Sequence, residues 1–354
     1  MKILFACGGS GGHIAPAIAI AERLPSHQCF FVISDKHVDT VFSQKYSQFS
    51  FHPIHAKPFS KNPIGFFRFV KSQMSSYRFA KKFLKENSID IVVSMGGFTS
   101  LGFAIAAKLS KIPLVLHETN IIAGKSTRFL SRIATKIILP LGSKSSLAKG
   151  KEVHIGYPVR QEFTDVPREE ARKQLAWPSD KKIILIVGGS NGAQILTSWA
   201  RQSYQQFSGL STEIFCIAGP KTPQPQSFMY EDCTLHVLPF CNQMNLALRA
   251  ADIVIARAGA GSIGEATFCK KPMILIPYPF AADNHQMANA LFAEQQGIAH
   301  VIPQNQIDTL LPYLLDLLKN PEKLKSIQAQ LDQLPPNNAA KQTADLLESI
   351  FSKI

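Results

Sequence analysis

Short apolar runs, each bounded by glycines or polar clusters, alternate along this chain with longer segments whose apolar residues recur at helical spacing. Ile3–Cys7 is the first such run. The glycine cluster Gly8–Gly12 follows it at once, and His13 then opens an apolar segment, Ile14 to Leu24, suited to a helix. Further buried strands are predicted at Cys29–Ser34, Ile89–Met95, Pro113–His117, Ile133–Leu139 and Val153–Gly156, with a helix over Leu101–Leu109. The pattern then restarts. Lys181–Val187 runs into Gly188–Ala193, and strands are expected at Thr212–Ala218, Thr234–Leu238, Asp252–Ala256 and Met273–Pro277. Buried strands alternating with helices predict parallel, doubly wound α/β sheets. The repeat of the opening loop predicts two similar domains, 1–160 with 339–354 and 161–338. The polar, Pro-containing stretch from Arg160 to Pro178 links them. Pro335 and Pro336 break the chain before a last helix, Ala339–Phe351, that is expected to return to the first domain.

Three loops carry candidate chemistry. Glycines between a strand and a helix let backbone approach a ligand, and a helix start offers unpaired N–H groups and a positive dipole end. His13 stands where the first such loop becomes helix; imidazole titrates near neutrality and can take a proton from an attacking hydroxyl. Arg257–Glu265, RAGAGSIGE, has the small residues a diphosphate needs, a hydroxyl at Ser262 and, one turn in, a carboxylate at Glu265 able to hold both hydroxyls of a ribose. Asp283-Asn284-His285-Gln286 follows a strand, and Gln286 and Asn289 could read sugar hydroxyls at the edge where open α/β sheets hold ligands. Each loop also has a purely structural reading, as a tight turn or a helix cap. The spacing is neither GxGxxG with a following acid nor a P-loop, which argues against a nicotinamide enzyme and a P-loop NTPase.

Composition narrows the class. At 354 residues the chain exceeds one ordinary core. A net charge of +13 favours phosphate-bearing partners or an anionic membrane, while no basic run resembles a nucleic-acid arm. The six cysteines form no CxxC pair, as expected of reduced thiols. No signal peptide is read at the N-terminus, and no apolar stretch approaches the ~20 residues that span a bilayer. Within Asn62–Lys85, however, Phe66, Phe67, Phe69, Val70, Met74 and Tyr77 interleave with arginines and lysines, a pattern suited to an anionic lipid headgroup layer. The alternative is a core helix with a solvated basic face. No Asp-x-Asp occurs, so no metal and no cofactor is expected, and helix N-termini would carry a leaving diphosphate.

Seven motifs in order, GGSGGH at Gly8–His13, MGGFTS at Met95–Ser100, HETN at His117–Asn120, YPVR at Tyr157–Arg160, GGSNGA at Gly188–Ala193, RAGAGSIGE and DNHQ, resemble the MurG family of N-acetylglucosamine transferases over nearly the whole chain. The resemblance implies a GT-B fold, two Rossmann-like domains facing a cleft. It implies inverting transfer of N-acetylglucosamine from UDP-N-acetylglucosamine to the 4-hydroxyl of undecaprenyl-diphosphate-linked N-acetylmuramoyl-pentapeptide, lipid I to lipid II, in peptidoglycan synthesis. His13 is then the general base. Ser10, Gly11, Gly12, Asn120, Arg160, Ser190, Cys241, Ala260, Gly261, Ser262, Ile263, Gly264, Glu265 and Gln286 are implied to bind the donor, Cys241 through backbone near the uracil. Implied too are attachment to the cytoplasmic face of the bacterial inner membrane, a part in cell shape and the cell cycle, and partners among cell-wall synthesis and division proteins. The chain departs from the family pattern at Ser10, Thr119 and Asn191, where Thr, Gln and Gln are usual. Other glycolipid-forming GT-B transferases, a UDP-sugar 2-epimerase and a membrane-docked UDP-sugar sensor remain open.

Overall fold

The computed structural model describes residues 1–8, 11–34, 37–57, 59, 62–143, 145–189, 192–220 and 222–353, and for 37–40 the backbone alone. Two compact units divide the chain: Met1–Arg160 with Asn337–Ile354, and Gln161–Pro336.

In the first unit the order is β1 (Lys2–Ala6), α1 (Gly11–Ala21), β2 (Gln28–Ser34), α2 (His37–Lys45), β3 (Ser50–Ile54), α3 (Pro63–Glu86), β4 (Ile91–Ser94), α4 (Ser100–Leu109), β5 (Leu114–His117), α5 (Lys125–Leu130), β6 (Lys136–Leu139) and β7 (Glu152–His154). All seven described strands pair in parallel, in the order β3-β2-β1-β4-β5-β6-β7. Helices cover both faces, which is why Ile3, Leu4, Phe5 and Ala6 are apolar without alternation and wholly buried. Burying each such large side chain contributes roughly 1.5–3 kcal/mol.

The second unit runs α6 (Arg168–Leu175), β8 (Lys182–Val187), α7 (Gln194–Ser203), β9 (Thr212–Ile217), β10 (Gln226–Tyr230), β11 (Cys233–Leu238), α8 (Met244–Ala250), β12 (Ile253–Ala256), α9 (Ala260–Phe268), β13 (Met273–Leu275), α10 (His285–Gln295), β14 (Ala299–Val301), α11 (Leu310–Lys319) and α12 (Pro321–Gln333). Its sheet order is β10-β11-β9-β8-β12-β13-β14. Every pairing is parallel except β10 with β11. The chain then re-enters the first unit as α13 (Ala339–Phe351), whose Ala339, Ala344, Leu347 and Ile350 share a core with Ile3, Phe5, Ile14 and Ile18.

Three strands were not expected from the pattern. β3 and β10 lie at sheet edges; β3 carries Pro53, tolerated there because an edge strand can spare an amide, and β10 is largely exposed. β14 has only three residues, too few to show a period. The antiparallel β10 corrects the expectation of a wholly parallel second sheet.

Candidate functional site

Strand order reverses between β1 and β4 in the first unit and between β8 and β12 in the second. Ligands of open α/β sheets sit outside the carboxyl ends of the strands at such points. The candidate residues fall on these two edges and are taken one unit at a time.

In the first unit, β1 is followed by Cys7, whose amide donates to Val32 O at 2.8 Å, and then by Gly8. Gly8 is required by close approach: a Cβ there would lie 1.7 Å from Thr99 Oγ1, the hydroxyl that donates to Cys7 O at 3.3 Å. Gly97, at φ +78°, packs so tightly on Gly8 that its own Cβ would meet Gly8 O at 2.9 Å. This pinning of the β1 turn to the β4 turn sets the start of α1. There His13, half-buried, donates from Nδ1 to the Gly8 carbonyl. A carbonyl can only accept, so Nδ1 carries a proton, and in the neutral imidazole the lone pair a base needs falls on Nε2. Nε2 lies beside Gly96, where a Cβ would be 3.5 Å away. Gly11 is buried and Gly12 exposed in the first turn of α1, while Ser10 lies outside the described residues.

Two strands over, β5 ends in His117, which is 2% exposed with neither ring nitrogen hydrogen-bonded. Burial pushes its imidazole down to about 4, against a smaller upward pull from Glu118 and a small further lowering from His13. Leaving such a group unpaired costs about 1–3 kcal/mol. Glu118, 7% exposed, accepts from the amides of Thr119, Asn120 and Gly124, from Asn120 Nδ2 and from the Thr127 hydroxyl. Sequence reasoning singled out Asn120 from this motif and passed over His117 and Glu118. The signal was available, since both stand at the carboxyl end of a predicted strand. Arg160 is buried: its Nη1 donates to Tyr46 Oη at 3.0 Å and its guanidinium lies 5.4 Å over the Phe42 ring.

In the second unit the turn after β8 holds Gly189 and Gly192 at φ +78° and +72°. A Cβ on Gly192 would fall 2.1 Å from Ala218 O, so only glycine fits. Ser190 and Asn191 lie outside the described residues. The turn after β12 is anchored from behind. Arg257 is buried and donates to Ile276 O at 3.1 Å, Pro277 O at 3.4 Å and Gln304 Oε1 at 2.7 Å, with Tyr278 stacked on it. Burial lowers its pKa, opposed by Tyr278. Asn289, expected to read sugar, instead donates to Ala258 O at 3.1 Å. So held, Gly259 caps α9 and its carbonyl takes the first intrahelical bond from Ile263 at 3.1 Å. The amides of Ala260, Gly261 and Ser262 precede that bond, as the first donors of a helix do. Ala260 through Glu265, with Ile263 and Gly264, are partly exposed. Gln286 Oε1 accepts from the Tyr278 amide at 2.9 Å, and Cys241 is partly exposed on the loop after β11.

A second surface lies on α3. Asn62 caps it, accepting from Ile64 N at 3.0 Å, and Pro63 starts it. Ser76, Ala80, Phe83 and Leu84 face the core, and Gly102 of α4 packs so close that a Cβ there would be 2.8 Å from Ser76 Oγ. Phe66, Phe67, Val70 and Met74 point outward, Phe67 at 76% exposure. Phe69 and Tyr77 do not: both are half-buried, Phe69 against Phe59 and Tyr77 against the core, because they share the helical stripe of Ser76 and Ala80. Among the described residues no helix is long and apolar enough to cross a membrane.

Comparison with known proteins agrees with both halves. Residues 3–139 match the glycosyltransferase family 28 N-terminal domain and residues 183–347 its C-terminal domain. A protein of Opitutus terrae, named UDP-N-acetylglucosamine--N-acetylmuramyl-(pentapeptide) pyrophosphoryl-undecaprenol N-acetylglucosamine transferase, is 34% identical, covering 98% of this chain and 94% of that one. One of Crocosphaera subtropica with the same name is 32% identical over 98% of each. Among solved structures, MurG of Acinetobacter baumannii superposes with a TM-score of 0.73 at 25% identity, covering 98% of this chain and 99% of that one. A UDP-GlcNAc 2-epimerase of Neisseria meningitidis, at 14% identity and a TM-score of 0.66 over 99% of this chain and all of that one, shows the shared fold alone. The chain has the GT-B fold and belongs to glycosyltransferase family 28, within its MurG group of N-acetylglucosamine transferases.

Proposed function

We propose that this enzyme moves N-acetylglucosamine from UDP-N-acetylglucosamine to the 4-hydroxyl of lipid-linked N-acetylmuramoyl-pentapeptide in peptidoglycan synthesis, with inversion. The observation that carries the reading is the pairing of the relatives' shared name with a His13 held through Nδ1 by the Gly8 carbonyl at the start of α1. His13 Nε2 takes the proton of the 4-hydroxyl as that oxygen attacks the anomeric carbon. The bond from that carbon to the diphosphate breaks, and UDP leaves with the electron pair. Amides at Ala260–Ser262 stabilise the charge growing on the diphosphate, the kind of preorganised term that is usually the largest in such catalysis. Glu265 holds the ribose and backbone near Cys241 the uracil. The Gln286 amide, its oxygen held by Tyr278, offers its NH2 to sugar hydroxyls. Ser10, Gly11, Gly12, Asn120, Arg160 and Ser190 complete the donor contacts. The reading also makes the first unit, 1–160 with 339–354, the acceptor-facing domain and 161–338 the donor domain.

The lipid-linked acceptor calls for work at a membrane. The outward face of α3, with Phe66, Phe67, Val70 and Met74 beside Arg68 and Lys71, supports a peripheral protein on the cytoplasmic face of the inner membrane. Roles in cell division and contacts with other cell-wall proteins belong to the same reading. One assay tests the chemistry: UDP should be released from the donor only when lipid-linked acceptor is supplied in vesicles. Release without acceptor, or epimerised donor, overturns it. Phe66→Ser with Phe67→Ser and Val70→Ser should reduce pelleting with anionic liposomes; unchanged pelleting removes α3 from the membrane contact.

A further inference from the structure

Along β9, β10 and β11 successive side chains alternate between the two faces of the sheet. Ile214, Cys216, Leu235 and Val237 take the face that joins the core of the second unit. The other face receives Glu213 and Phe215 of β9, His236 of β11 and Ser227 of β10. Register sets Ser227 directly opposite His236, and His236 directly opposite Phe215, so three strands bring a serine, a histidine and a glutamate side by side. Ser227 Oγ lies 3.0 Å from His236 Nδ1, and His236 Nε2 lies 2.6 Å from Glu213 Oε1. Trp177 stacks on Phe215 at 3.7 Å between centroids, and Phe215 on His236 at 4.6 Å, each pair 12° from parallel, which holds the plane of the imidazole. Glu213 is buried, and its other oxygen accepts from Lys181 Nζ at 2.8 Å.

The role of each group follows from what it can donate. A carboxylate only accepts, so His236 Nε2 carries a proton. In the neutral imidazole Nδ1 then holds the lone pair, and the Ser227 hydroxyl donates to it. An activated serine needs this order, a nucleophile on a base and the base oriented by a third group. We propose that Ser227, His236 and Glu213 form a second reactive centre, a serine nucleophile that hydrolyses small activated esters. Ser227 Oγ attacks the ester carbonyl, and its proton passes to His236 Nδ1. The bond to the leaving alcohol breaks, that oxygen takes the proton from Nδ1, and the acyl group stays on Ser227. Water then attacks the acyl carbon and gives a proton to Nδ1. The bond to Oγ breaks, Oγ recovers the proton, and a carboxylic acid departs. Glu213 stays ionised and stabilises the imidazolium through Nε2–H. Ser227 is exposed on the edge strand, so solvent meets much of the charge on the tetrahedral oxygen. Such a centre suits esters of acidic alcohols, phenols above all, and not amides.

The probe is p-nitrophenyl acetate with the full chain, alongside labelling by a fluorophosphonate and mass spectrometry of the labelled peptide. The label should sit on Ser227. Release of p-nitrophenolate should fall about 10²-fold in Ser227→Ala and to the same level in His236→Gln, the lower end of what a general base is worth. A network that only ties β10 to the sheet would leave the wild type unlabelled. Labelling of the wild type decides the matter should a variant fail to fold. A label elsewhere, no label, or hydrolysis by Ser227→Ala as fast as by the wild type overturns the proposal. Glu213 stands near the amino end of β9, away from the carboxyl edge, so Ser227→Ala should release UDP with lipid-linked acceptor as the wild type does.

Discussion

The carboxyl edges of the two sheets share one architecture and differ in what they carry. In the first unit that edge holds ionisable side chains: His13 on the β1 turn, His117 and Glu118 at the end of β5. In the second unit the turns of the same edge are lined mostly by backbone. Gly189, Gly192, Gly259, Ala260 and Gly261 leave amides and room, Glu265 stands one turn into α9, and the buried Arg257 is spent on the carbonyls of Ile276 and Pro277 and on Gln304. The contrast follows from the work each edge would do. A proton transfer needs a side chain with a titratable lone pair, whereas holding a diphosphate needs amides and room, which side chains would only fill.

Three substitutions probe that contrast. The largest effect is expected from His13→Ala. Turnover should fall about 10²–10⁴-fold, the usual worth of a general base, while calorimetry finds UDP affinity unchanged. Equal loss of UDP binding would mean that the first edge holds the donor and does not act on the acceptor.

Next comes His117→Phe, read as stability. Burial keeps this imidazole neutral in the folded protein down to about pH 4, whereas in an unfolded chain it takes its proton near 6.5. Above about pH 6.5 its contribution to stability is full. Between there and pH 4 the unfolded state binds the extra proton, and stability drops by about 3 kcal/mol in total. The phenylalanine should flatten this acid limb and, by removing two unpartnered nitrogens, be no less stable at pH 7.5. Urea unfolding at pH 7.5 and pH 5 checks both; an acid limb of the same steepness in the variant would assign the loss to other groups.

The smallest change belongs to the second edge. Glu265→Ala should weaken UDP about 10-fold, in keeping with loss of a charge-assisted hydrogen bond, and leave kcat at saturating donor nearly intact. A drop in kcat without a change in UDP affinity would move Glu265 from ribose binding into the chemistry.

How much of this could be read from residues alone varies by element. β1, β4, β5, β8 and β12 were legible because strands covered on both faces are near-continuous apolar runs, and their length is a local property. The glycine turns were legible for the same reason. β3, β10 and β14 were not, because an edge strand or a three-residue strand owes its existence to the neighbour it pairs with. Asn289 shows the limit for side chains. Its type suited a sugar contact, yet its amide is committed to Ala258 O, a partner distant in sequence. Phe69 and Tyr77 show it again, since composition gave them to the membrane face, whereas Phe69 packs on Phe59 and Tyr77 on the core.

By itself, then, the order of apolar runs, glycine turns and polar clusters determined two doubly wound halves, the turns that face a ligand, and the transferase family those turns resemble. Tertiary structure alone decided which candidate side chains are committed elsewhere. It ties Arg257 to the carbonyls behind it, Asn120 to Glu118, and His13 Nδ1 to Gly8, and it strands His117 without a partner. The reason is physical: a strand or a turn is specified by neighbours in sequence, whereas the hydrogen-bond state of a buried polar group depends on atoms that only folding brings within 3 Å.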